Sequence, residues 1–181
     1  MKKLLLILLC LPMIGFGQKK SKKLKIGDYI YGGVIFYLDS TSKHGLVCDI
    51  KDLGEAEWGC YGVSISGADG KVIGTGNQNT IDIINECKQN KIAAEICFNS
   101  TAQGYSDWFL PSVNELYQIQ EYKSIINSTA NTNSGNPLFG GTYLSSTEVF
   151  DNKVQALAFE LNMSFRAVKN VTYRVRAIRA F

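Results

Sequence analysis

The 181-residue sequence holds one histidine, three prolines and little charge, with 19% of residues Asp, Glu, Lys or Arg. A single histidine excludes a multi-histidine metal site. It sits in the polar run Ser42-Lys43-His44-Gly45, where no partner nucleophile is marked, so an exposed turn residue is expected rather than a general base. Three prolines without a Gly-X-Y period exclude a collagen-like chain. No cysteine stands in a C-x-x-C pair, which argues against zinc. The Gly74-Thr75-Gly76-Asn77-Gln78-Asn79 stretch lacks both the Gly-Lys-Ser/Thr end of a P-loop and the third glycine of a dinucleotide fingerprint. What the chain does have is 45% hydrophobic residues. That is enough to bury a core and excludes wholesale disorder.

The one long apolar run is at the start. Lys2 and Lys3 precede Leu4–Ile14, and Gly15-Phe16-Gly17 supplies small residues at the −3 and −1 positions of a cleavage site. The run is shorter than the ~20 residues a membrane span needs. Residues 1–17 therefore read as a signal peptide with Cys10 inside it, and the product as an exported chain without a transmembrane span. Residues 18–25 form a basic linker with Lys19, Lys20, Lys22, Lys23 and Lys25. Residues 26–181 read as one domain with 12 basic and 16 acidic residues, a net charge of −4. The basic sequence pI belongs to the tags, and nucleic acid loses its electrostatic argument as a partner.

Four cysteines remain: Cys48, Cys60, Cys87 and Cys97. An even number in an exported chain favours disulfides. Local pairing, Cys48–Cys60 and Cys87–Cys97, closes the shortest loops and is the expected connectivity. Reduced thiols buried as small hydrophobes are the alternative.

Tyr29–Leu38 is rich in aromatic and β-branched residues and broken by Gly32-Gly33. It predicts two short strands or one bulged strand. Asp39–Gly45 is a polar turn and Gly45–Cys48 a returning strand. Residues 53–80 have loop chemistry. Thr80 is expected to cap a helix through Lys88, and Ile92–Cys97 to form a second helical stretch. Trp108–Leu110 reads as a strand ended by Pro111. Ser112 and Glu115 match the S-x-x-E capping box, which makes Glu115 structural first. Residues 127–142 read as a long loop, and Thr142–Thr147, Ala156–Leu161 and Tyr173–Phe181 as strands. Strands frame both ends with helices and loops between, an α+β pattern with no internal repeat.

Five segments occur in a familiar order: Tyr31-Gly32-Gly33-Val34-Ile35-Phe36-Tyr37, Gly74-Thr75-Gly76, Gly104–Ser112, Tyr143–Glu148 and Val175–Arg179. Together they resemble the Lcl C-terminal-domain-like family, named from the terminal domain of a bacterial collagen-like adhesin. The resemblance spans most of the mature chain. It implies a C-type-lectin-like fold, shared with formylglycine-generating proteins, with short antiparallel sheets, two or three helices and long loops. It further implies a secreted or surface domain, with adhesion to sulfated polysaccharide suggested for the family's namesake. There is no collagen-like stalk here, so trimerisation does not carry over. No cysteine lies beyond Cys97, so the late cysteine pair of the formylglycine-generating enzymes is missing.

Sugar binding needs a ring to stack on and planar polar groups to hold hydroxyls. Trp58, Tyr143, Glu148, Asp151 and Asn152 are the candidates, with core packing the alternative for the two rings. A calcium-dependent version would add carboxylate and amide ligands. That set is incomplete, so no metal and no cofactor is expected. All four arginines, Arg166, Arg174, Arg176 and Arg179, fall in the last sixteen residues. Arg166, Arg174 and Arg176 could hold sulfate or carboxylate groups in a bidentate grip, with internal pairing to the acidic body as the alternative. No catalytic residue stands out, and a hydrolase lacks a paired acid and base. The expected function is a non-enzymatic exported module recognising a glycan or cell-surface polysaccharide. A structural or protein–protein interaction domain of the envelope is the alternative.

Overall fold

The alternating apolar pattern of Tyr29–Leu38 folds as two strands, β1 (Tyr29–Ile30) and β2 (Gly33–Leu38), in the computed structural model, which describes residues 23–181. The signal peptide expected at 1–17 lies outside the described residues, as do residues 18–22 of the basic linker. The two strands pair antiparallel with Ile30 opposite Gly33, so Tyr31-Gly32 is a two-residue hairpin loop. Both loop residues have positive φ, 56° and 85°. A type I′ turn demands that, because its twist matches that of the flanking strands. β3 (Gly45–Cys48) returns along β2 across a bulge between Ile35 and Tyr37. The polar turn between them is closed by Asp39, whose carboxylate accepts from the Thr41 hydroxyl at 2.8 Å and the Lys43 amide at 3.3 Å. His44 is exposed in that turn.

The chain then makes β4 (Glu55–Ala56) and a long loop before α1 (Gly76–Glu86). α1 begins four residues before the expected cap at Thr80. Thr80 lies inside it and is buried, its hydroxyl donating to the Gly76 carbonyl at 2.8 Å and accepting from the Leu110 amide at 3.0 Å. Asn79 is buried beside it, bridging the Gly70 backbone and Ser146. The polar character of 76–80 is thus an inward-facing polar face, which local propensity reads as loop. α2 (Ala93–Phe98) follows as expected.

α3 (Val113–Glu121) starts with the complete capping box: the Ser112 amide donates to Glu115 and the Glu115 amide to Ser112 Oγ. α4 (Lys123–Thr132) takes up residues 127–132 of the segment expected to be a long loop. Ile126 and Ala130, one turn apart, supply its buried face, while Thr132 and Asn133 return side-chain hydrogen bonds to its own carbonyls. Two buried positions suffice because the rest of the helix is solvated, and so the apolar signal in the sequence is faint.

β5 (Thr142–Phe150), β6 (Lys153–Ala158) and β7 (Met163–Val168) form a meander, and β7 was not anticipated as a strand. The final segment is two strands: β8 (Tyr173–Arg174) and β9 (Ile178–Ala180). They join different sheets, ordered β1-β2-β3-β9 and β4-β8-β5-β6-β7. β5 and β8 run parallel, and every other pairing of named strands is antiparallel. Phe109 bridges to Ile178 at the edge of the first sheet. The architecture is α+β, with four α-helices among the described residues where two or three were expected.

The core divides into two apolar groups. One gathers Ile35, Val47, Trp58, Ile83, Trp108, Leu144 and Val175. The other gathers Phe36, Leu46, Phe109, Leu116, Ile126, Tyr143 and Leu157 between the helices and the sheets. The cysteine connectivity differs from the local pairing expected. Cys60 is bonded to Cys87, and Cys48 and Cys97 are buried free thiols. Cys48 lies on a central strand packed in the second group, and Cys97 on α2 in the first. Short sequence loops are therefore no guide to which sulfurs meet.

Candidate functional site

The sequence candidates separate to the two ends of β5, and four of the eight, Trp58, Tyr143, Glu148 and Arg176, are interior. At the Phe150 end, Trp58 is fully buried with its indole N–H donating to the Ser145 carbonyl at 3.1 Å. The Lys169 ammonium lies 4.4 Å from the centre of its ring, hydrogen-bonds the Val63 carbonyl at 2.7 Å and pairs with Glu148. Glu148 also accepts from the Ile65 amide and the Ser64 hydroxyl. These contacts pin the 59–68 loop, so Trp58 and Glu148 form its floor, not a sugar platform. Outside this floor, Asp151 is exposed and Asn152 half-buried, and their carbonyls accept from Gly62 and Lys169 amides. Arg166 is exposed and lies 5.2 Å from the ring of Phe150. These three are on or near the surface, beside one another on neighbouring turns and strands.

At the Thr142 end, Tyr143 is buried and its hydroxyl donates to Asp52 at 3.3 Å. Burial pushes its phenol up to about 12. Arg176 is also buried. It donates to the carbonyls of Asp49, Asn136 and Pro137 at 3.1–3.3 Å and faces Asp52 at 3.5 Å. Arg174 reaches Asp52 at 3.9 Å and covers Phe139. The expected sulfate grip by Arg174 and Arg176 is therefore occupied from within: Arg176 fastens the 133–141 loop, and one carboxylate serves both guanidiniums. Burial also raises the acid groups of Asp49 and Glu115. Glu115 nonetheless receives the Gly74 and Ser112 amides, each at 2.7 Å. Its carboxylate packs so closely on Gly76 that an added Cβ there would stand 2.3 Å from Oε2.

Sequence reasoning missed a groove at the edge of the first sheet. It has a volume of about 640 Å³ and is lined by Lys23, Asp28, Tyr29, Ile30, Tyr31 and the Thr41-Ser42-Lys43 turn, with Leu24. Tyr29 and Tyr31 are 37% and 36% exposed. They present apolar ring surface and phenol hydroxyls beside the hydroxyls of Thr41 and Ser42 and the amines of Lys23 and Lys43. That is the mixture of flat apolar area and hydrogen-bonding groups a polar ligand needs. Its volume is within the roughly 300–1,000 Å³ of small-molecule sites. Both walls contain a left-handed non-glycine residue, Tyr31 and Ser42 at φ 56° and 57°. The sequence signal was present, two tyrosines two apart before a glycine pair, but strand chemistry absorbed it.

No family model matches the chain, and no curated protein matches it. Among solved structures, the chain is similar to a fimbrial protein from Bacteroides ovatus ATCC 8483, with a TM-score of 0.60 and 15% identity. The match covers 86% of this chain and 48% of that one, so this chain spans about half the length of that protein. At this identity the likeness is one of fold. Among the described residues, no helix is long and apolar enough to cross a membrane.

Proposed function

We propose that the chain is an exported, non-enzymatic recognition module of the bacterial cell surface, and that the Tyr29–Tyr31 groove takes a glycan or cell-surface polysaccharide. The groove carries this reading, because exposed rings and hydroxyls converge there while the other aromatic candidates are built into the core. The likeness to a fimbrial protein supports a surface adhesion or interaction module. The ordered motifs that resemble the Lcl family, with its lectin-like architecture, point the same way. So does the Cys60–Cys87 bond, which suits an oxidising compartment. Lys23 and Lys43 give the groove a positive flank on an acidic body, which suits a sulfated or uronate-bearing polymer. A binding role is favoured over a catalytic one because the buried carboxylates of Glu115 and Glu148 are committed to backbone amides and Lys169.

The test is a glycan array probed with the mature domain at two salt concentrations, with and without calcium. The expected result is calcium-independent retention of an acidic glycan that weakens with salt and disappears in Tyr29→Ala and Tyr31→Ala. Retention unaffected by either substitution would move the site elsewhere. One observation favours the second reading, an envelope interaction domain. Leu161, Met163 and Phe165 expose apolar surface on and beside the edge strand β7. On that reading no glycan is retained, and an envelope protein co-purifies until Phe165 is replaced by Lys.

A further inference from the structure

Tyrosine is an unnatural choice for the first position of a two-residue hairpin with both φ values positive, where Asn, Asp and Gly are at home. Something must hold it there, and the C-terminal strand supplies it. The Arg179 guanidinium donates Nη1–H to the Tyr31 carbonyl at 2.8 Å. Its remaining edge is occupied by Asp107, through Nε at 2.6 Å and Nη2 at 2.7 Å. Its flat face lies 3.9 Å from the centre of the Tyr105 ring. The same Tyr105 ring packs on Gly32, where an added Cβ would stand 2.6 Å from it. The Tyr31 ring stacks on Phe181, centroids 4.5 Å apart and planes 21° from parallel. Every one of these partners comes from the 105–107 segment or the last three residues of the chain, far from Tyr31 in sequence. β1 and β2 are in register at two residue pairs, continued by backbone bonds between Gly27, Asp28 and Ile35 at the far end, so the ladder steadies the strands but makes no contact with the Tyr31 side chain.

We propose that Arg179 and Asp107 are the positioning pair of the groove: they lock the Tyr31-Gly32 turn in its left-handed form and so set the tyrosine platform before any ligand arrives. The assignment rests on the reading of the groove as the ligand site, and it deepens that reading by naming what pre-organises it. A guanidinium suits the task, because one rigid fork can hold a carboxylate on two nitrogens and a carbonyl on the third while stacking on a ring. Lysine offers one point charge and no plane.

Tyrosine nitration mapped by mass spectrometry tests this without any ligand. The probe is tetranitromethane on the folded mature protein, with Tyr61, exposed and not among the partners of the pair, and Tyr143, buried, as internal references. In Arg179→Gln and in Asp107→Ala, Tyr31 should react severalfold faster relative to Tyr61 while Tyr143 stays unmodified. Arg179→Lys should fall between. Should Arg179→Gln expose Tyr143 and so prove unfolded, Asp107→Ala decides, because that carboxylate is more than half exposed and its loss leaves the core intact. An unchanged Tyr31 rate in folded Asp107→Ala overturns the proposal. The array experiment fails independently: a wild-type protein that retains no glycan removes the ligand reading, while the nitration ratio still judges the lock.

Discussion

At the residue scale the largest electrostatic commitment is the pair of Lys169 and Glu148 beneath the 59–68 loop. Both side chains are nearly inaccessible, and each is satisfied beyond its partner: Lys169 by the Val63 carbonyl and the Trp58 ring, Glu148 by Ile65 and Ser64. A buried pair of this kind contributes little net energy over an apolar replacement, but removing one member strands the other charge. Lys169→Met should therefore destabilise the fold by about 3–5 kcal/mol, read as a shift of the urea midpoint. The double variant Lys169→Met with Glu148→Gln should recover a large part of that loss, because the stranded carboxylate is gone and the amide still accepts from Ile65. Equal losses in single and double variants would mean that shape, not charge, governs the site. Asp107 belongs to a different regime. The Arg179 hydrogen bonds hold its carboxyl below the usual carboxylate range. Its contribution is thus present above the ordinary carboxylate pKa and fades as pH falls through the lowered one, and exposure to solvent keeps it small.

At the element scale the disulfide decides how the long loop is held. Cys60–Cys87 links that loop to the residue following α1, closing a separation of 27 residues. Chain-entropy arguments give a cross-link of this span about 3.5 kcal/mol. Cys60→Ser with Cys87→Ser should lower the melting temperature by several degrees. The two remaining thiols should be silent toward a thiol reagent in the native protein and titrate as two equivalents only in denaturant. Both are fully buried, and burial pushes them up, Cys48 to about 12, so no thiolate forms near neutrality. Four reactive thiols in denaturant, or none, would contradict the connectivity. The same elements show which parts of the structure were readable in advance. The capping box at Ser112 and Glu115 is a local code, two residues within a four-residue span that satisfy one another, and it appeared where the spacing put it. The start of α1, the existence of α4 and the sulfur pairing are non-local. Asn79 needs Ser146, and Cys60 needs a helix end 27 residues on. The burial of the two candidate rings, Trp58 and Tyr143, is non-local in the same way. Trp58 looks like an isolated ring in a glycine-rich loop until the Ser145 carbonyl, 87 residues away, takes its N–H. Tyr29 and Tyr31 look like strand residues until the sheet order leaves β1 at an edge.

At the scale of the molecule, the last nine residues tie the two sheets together. Residues 173–174 enter the second sheet between β4 and β5, and residues 178–180 enter the first beside β3. Between them Val175 and Ala177 are buried, and Arg176 fastens the 133–141 loop through the Asn136 and Pro137 carbonyls while also holding that of Asp49. Arg179 then reaches the groove turn. A chain ending at Thr172 would lose two strands, a buried arginine and the lock on Tyr31 at once. It would also uncover the edges of β3 and β5, which are otherwise central and largely buried. Such edges template pairing with other chains. The truncated protein should show no cooperative thermal transition and should aggregate. Arg179→Gln in the full chain should keep a cooperative transition and lose only the ordered groove turn. If the truncated chain instead melted cooperatively, the two sheets would be separate folding units, and the groove's dependence on the C-terminus would be confined to Arg179 and Phe181.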